Sequence, residues 1–114
     1  VNLIDDGFID TLQELRTRCG FPLVVNSGYR CPAHNDRVST TGLAGPHTTG
    51  QASDVGVARL LAFLVLEHAV AMNLERLKRG LPRAFEGFGF QQKGGGRFIH
   101  LDAVRIGRPT VWSY

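Results

Sequence analysis

Apolar residues recur at helical spacing over residues 5–18, where Phe8, Ile9, Leu12 and Leu15 fall on one face. Asp5, Asp6 and Asp10 stand near the start, where carboxylates suit the helix dipole. Gly20 is a natural stop and Pro22 forbids continuation. Leu23-Val24-Val25 reads as a short buried strand, followed by a turn at Ser27–Arg30. Pro32–Val38 predicts one or two helical turns. Ser39–Gly50, rich in Thr, Gly and Pro, predicts an ordered loop. Ala52–Val57 predicts a second strand. Arg59 to about Lys78 predicts the main helix, with Leu60, Leu61, Leu64, Ala71 and Leu74 among its apolar positions, ended by Gly80 and Pro82. Phe88–Gln91 and Arg97–Val104 predict two antiparallel strands around a Lys93-Gly94-Gly95-Gly96 turn, and Val111–Tyr114 an extended aromatic tail. Helices separated by short paired strands imply an α+β domain with a small antiparallel sheet packed against helices.

The 114 residues suit a single domain spanning 1–114, and 43% hydrophobic against 20% charged residues is ordinary for a globular chain. A domain this size buries roughly two-thirds of its unfolded surface, so it needs no metal to fold and can keep one for function. The net charge of +3 is mild and scattered, with Arg76, Lys78 and Arg79 the densest cluster. That cluster reads as a solvated helix end. Nucleic acid as a partner is not expected, because a binding patch would need more positive charge and interleaved aromatics. The longest apolar run, Leu60–Leu66, is too short to span a bilayer. A monomer is expected. Cys19 and Cys31 read as two buried thiols rather than a disulfide, and do not fix a redox compartment.

The candidate chemistry lies in His47, Asp54 and His100. Each histidine alone reads as ordinary: His47 a loop residue with a local hydrogen bond, His100 a satisfied strand residue. Together, two imidazoles and one carboxylate can hold a Zn²⁺ ion with its fourth position open, the feature that separates catalytic from structural zinc sites. His₂Asp sets also accept other divalent ions.

Three segments give these residues a context. They are Ser27-Gly28-Tyr29-Arg30-Cys31-Pro32-Ala33-His34-Asn35, Gly45-Pro46-His47-Thr48-Thr49-Gly50-Gln51-Ala52-Ser53-Asp54-Val55, and Arg97-Phe98-Ile99-His100-Leu101-Asp102. In that order they resemble the M15 family of zinc peptidases, in particular its small D-Ala-D-Ala carboxypeptidase-like branch. That fold is shared with VanX-type dipeptidases, phage endolysins and the hedgehog domain. The ending Arg108-Pro109-Thr110-Val111-Trp112-Ser113-Tyr114 is similar to that of small bacterial and phage members. The resemblance implies that His47, Asp54 and His100 ligate zinc and that Arg30 faces the substrate, where a guanidinium can bind a carboxylate or stabilise an oxyanion. It further implies a peptidoglycan peptide as substrate and a periplasmic, secreted or phage-associated setting. Gly50 supplies the positive φ that a sharp turn between ligands requires, and Ala52 is small where strand and loop pack.

One departure matters. Relatives carry an acidic residue three positions before the last ligand, or a histidine two before it. Here Arg97 and Phe98 stand there, and neither serves as a general base. Asp102 is the first replacement candidate, since two residues on it shares a strand face with His100. Its alternative role is to orient His47 or His100. Glu86 and His34 are further candidates, each with a plainer reading as a loop carboxylate and a packing residue. His68 reads as structural. Gly45 replaces a serine of many relatives and removes one substrate hydrogen bond. Trp112 and Tyr114 read as an aromatic plug against the sheet, or else as a stacking surface for substrate. Two non-catalytic functions compete with peptidase activity: a zinc-bearing binding module without turnover, and an architectural part whose metal braces loops.

Overall fold

The computed structural model describes residues 6–27 and 50–114. Two helices, α1 (Asp6–Cys19) and α2 (Arg59–Lys78), pack on one face of a five-stranded sheet. Its strands are β1 (Val24–Ser27), β2 (Ala52–Gly56), β3 (Gly87–Gln91), β4 (Phe98–Asp102) and β5 (Thr110–Ser113), in the order β1-β2-β4-β3-β5. The expected turns at 28–30 and 32–38 and most of the 39–50 loop lie outside the described residues. No helix among the described residues is long and apolar enough to cross a membrane.

Helix α1 forms where the periodicity places it. Phe8 and Leu15 are buried, and Gly20 closes the helix at φ 78° with its N–H on the Arg16 carbonyl. Arg18 joins the helices through a two-pronged pair with Glu75, which holds the guanidinium pKa above and the carboxyl pKa below their ordinary values.

Two expectations are corrected, and the buried face of α2 becomes visible. The first strand is not buried: Val24 and Val25 lie exposed, because β1 is an edge strand paired only with β2. The sheet is mixed rather than wholly antiparallel, since the aromatic tail adds to β3 as a parallel strand. In α2, Leu60, Leu61 and Leu74 are exposed, while Ala62, Val65, Ala69 and Met72 face the core. This helix is apolar around most of its circumference, so spacing alone could not select the buried face. The small Ala62 and Ala69 belong to the core cluster under which sheet and helices meet.

Asn73 is the one polar residue that α2 buries. Its Nδ2 donates to the Phe85 carbonyl at 2.9 Å, and its Oδ1 accepts the Phe85 N–H at 2.8 Å. The amide thus pins the segment entering β3, and with it the fully buried Phe85 ring. Asn73→Leu leaves two backbone groups without partners, each costing about 1–3 kcal/mol. A loss of roughly 2–6 kcal/mol is expected in urea denaturation, with the slope unchanged.

Cys19 is a free, half-buried thiol whose pKa is pushed up by burial. Because the folded value exceeds the unfolded one, its contribution is fully present below about pH 8.5 and lost as pH rises through the folded value. Cys19→Ala is therefore expected to flatten the fall of the denaturation midpoint between roughly pH 8 and 10. Cys31 lies outside the described residues.

Candidate functional site

Strand alternation divides the sheet into two faces. Val55, Phe88, Ile99 and Leu101 point into the core beneath the helices. The opposite face carries Asp54 on β2, His100 and Asp102 on β4, and Trp112 on β5. Antiparallel register sets Asp54 directly beside His100, and Gly89 beside His100 on its other flank. Parallel register then sets Trp112 beside Gly89. One row therefore runs Asp54, His100, Gly89, Trp112 across four strands, and the next runs Ala52, Asp102, Gly87, Thr110.

Both imidazole nitrogens are engaged. His100 Nδ1 lies 3.1 Å from Asp54 Oδ1, and Nε2 lies 2.7 Å from Asp102 Oδ2. Arg108 grips Asp102 with Nε at 3.1 Å from Oδ1 and Nη2 at 2.8 Å from Oδ2, and the Val104 N–H adds a contact at 3.3 Å. Asp102 is 0% and His100 1% exposed, so this is a buried relay of charges. Burial opposes the charged imidazolium, yet the bonds to Asp102 and Asp54 outweigh it and raise the His100 pKa. Burial likewise opposes the Asp102 carboxylate, and the His100 and Arg108 bonds outweigh it and lower its pKa.

Two glycines make this arrangement possible. A Cβ on Gly89 would stand 2.6 Å from Trp112 Cε2 and Nε1, and one on Gly87 would stand 2.5 Å from Asp102 Oδ2 and Arg108 Nε. The bare β3 backbone lets the Trp112 ring lie over it, 4.9 Å from the His100 ring and 4.9 Å from the Arg108 guanidinium. Gly89→Ala is expected to lift that ring and cost about 1–3 kcal/mol by overpacking. Trp112 is the only tryptophan, so a shift of intrinsic fluorescence emission toward that of exposed indole reads the displacement directly.

Of the expected metal ligands, Asp54 and His100 are brought together, and Gly50 before them has the positive φ expected, 76°. His47, Arg30, His34 and Gly45 lie outside the described residues. Among the described residues no group of three His, Cys, Asp or Glu side chains forms a metal cluster. Glu86, a candidate base with a plainer reading as a loop carboxylate, faces α1. It lines a cavity with Thr11, Arg76 and Arg83, and sits 3.6 Å from the Arg83 guanidinium. The residue just before Gly87 on the strand must take the face opposite to Asp102. Trp112 packs against the sheet as a plug, and Tyr114 meets the Phe98 ring edge-on at 5.1 Å. The sequence reading missed Arg108 as a site residue. A buried strand carboxylate at Asp102 demanded a cation, and Arg108 was among the nearest candidates.

The sequence model of the family described as Peptidase M15 matches residues 6–102, and the chain belongs to that peptidase family. No curated protein and no solved structure matches it. Arg108 and Trp112 lie beyond the matched range.

Proposed function

We propose that this chain is a zinc-dependent peptidase of bacterial cell-wall peptides, cutting at a bond that involves a D-amino acid as a D-Ala-D-Ala-type carboxypeptidase or related endopeptidase. The observation that carries this reading is the convergence of Asp54 Oδ1 and His100 Nδ1 at 3.1 Å, with the far nitrogen of His100 tied to Asp102. The donor chemistry fits zinc. Nitrogen and oxygen ligands about 2.0–2.1 Å from a tetrahedral ion lie roughly 3.3 Å from each other. Asp54 and His100, joined by His47, would hold the ion, which when bound supplies Lewis acidity that polarises a carbonyl and acidifies water.

The chain's own residues do the rest. An ionised Asp102 accepts the Nε2–H of His100 and so would leave the Nδ1 lone pair for an ion shared with Asp54. Arg108 keeps Asp102 ionised and in place. Asp102 therefore suits the orienting role better than that of a general base, because both its oxygens are taken. With Glu86 on the other face, His34 is the remaining candidate for proton transfer. Arg30 binds the peptide carboxylate or the developing oxyanion.

One observation favours a binding module instead. Arg97 donates to the Gly94 carbonyl at 2.9 Å and Phe98 meets Tyr114 edge-on, so neither position where relatives keep a base offers one. Incubation of the purified chain plus Zn²⁺ with muropeptides, followed by mass spectrometry, separates the two. Cleavage that a His47→Ala control lacks is expected. Saturable binding without product would establish the module, and neither cleavage nor binding would contradict both.

A further inference from the structure

Away from the site, helix α2 carries a second apolar face that nothing among the described residues covers. Leu60, Phe63, Val70, Leu74 and Leu77 are 68%, 61%, 40%, 54% and 43% exposed. With Glu67 they occupy positions 60, 63, 67, 70, 74 and 77, an alternation of three and four residues that draws one straight stripe along the helix. Single exposed leucines are common on protein surfaces, but five apolar residues along one stripe mark an interaction face. The helix's other stripe, Ala62, Val65, Ala69 and Met72, is already used by the core.

We propose that the C-terminal part of this stripe, Glu67 to Leu77, pairs with the same part in a second copy of the chain, the two α2 helices running antiparallel. Glu67 selects the partner and its direction. It is the only charged residue in the stripe and has no ion-pair or hydrogen-bond partner among the described residues. A parallel pair would set Glu67 against Glu67 of the second copy. An antiparallel pair centred between Glu67 and Val70 would set it against Val70 with no cation alongside. An antiparallel pair centred at the level of Met72 sets Val70 against Leu74, and Glu67 beside Lys78 of the second copy. Lys78 lies on the same flank of the helix, eleven residues or about three turns on. The two-fold axis repeats this ion pair, so two charges of each sign are matched across a self-complementary face. The helices lie on the sheet face opposite His100, so pairing leaves the site open.

Sedimentation velocity over a concentration series tests this on the intact chain. A concentration-dependent dimer is expected. Leu74→Glu, at an exposed position, should leave a monomer with unchanged circular dichroism. Glu67→Lys and Lys78→Glu should each weaken the dimer roughly tenfold, since two pairs are lost together, and the double exchange should restore it. The charge exchange touches no packing, so it decides the matter even if Leu74→Glu fails to fold. Three results overturn the proposal. One is a monomer up to about 1 mM. The second is a dimer indifferent to the charge exchange. The third is a monomer that binds phosphatidylglycerol vesicles through the stripe instead.

Discussion

Turnover of cell-wall peptide should fall at least roughly a thousandfold when Asp54 is replaced by Ala. A bound metal supplies several kcal/mol of transition-state stabilisation, and each 1.36 kcal/mol is about a factor of ten in rate. Asp54 Oδ1 stands 3.1 Å from His100 Nδ1, whose ring is held by Asp102. The substitution should spare the fold. His100 keeps its 2.7 Å bond to Asp102, and the strand pairing of β2 with β1 and β4 is made by backbone. Measured together, peptide cleavage, zinc content and circular dichroism should show activity and metal lost with secondary structure intact. Turnover within tenfold of the parent would mean that Asp54 is not a ligand.

Asp102→Asn is expected to act on both stability and metal affinity. The amide matches the carboxylate in shape but carries no charge, so Arg108, 12% exposed at its side chain, loses its buried counter-ion. Breaking a buried pair from one side costs about 3–5 kcal/mol. The amide can also present N–H rather than oxygen to His100 Nε2. That would move the ring proton to Nδ1, the nitrogen that faces Asp54. Loss of such an orienting partner typically lowers metal affinity 10–100-fold. Adding Arg108→Met should recover much of the stability and none of the affinity. Urea denaturation and zinc titration of the single and double variants check both halves. A single variant that binds zinc like the parent would leave Asp102 a purely structural residue.

Elements bounded by strong punctuation were legible in the sequence. Helix α2 begins and ends where Arg59 and Lys78 place it, and Gly20 and Gly80 close their helices at positive φ. The β3–β4 hairpin was equally clear from its glycine run. Side-chain facing was harder. An all-round apolar helix has no preferred face by pattern, so the α2 core positions emerged only with packing. A short Val-rich strand looks buried whether it lies at a sheet's centre or, as β1 does, at its edge.

The site was legible as chemistry rather than as geometry. Asp54 and His100 were singled out because ligand types stand in a known order, and the structure shows that β2–β4 register makes them neighbours. Arg108 was hidden because its role depends on β5 folding back parallel to β3, a long-range pairing that no local pattern encodes. The alternation Gly87-Phe88-Gly89-Phe90 did carry a signal. A strand with side chains on one face only must have something large lying over the other, here Trp112 and the Asp102–Arg108 pair.

The most direct test of the central claim is metal stoichiometry after reconstitution with Zn²⁺ and removal of excess ion. One zinc per chain is expected for the parent, and none for Asp54→Ala or His100→Ala, with all three proteins folded by circular dichroism. A folded parent that retains no zinc, or variants that retain it in full, would contradict the account.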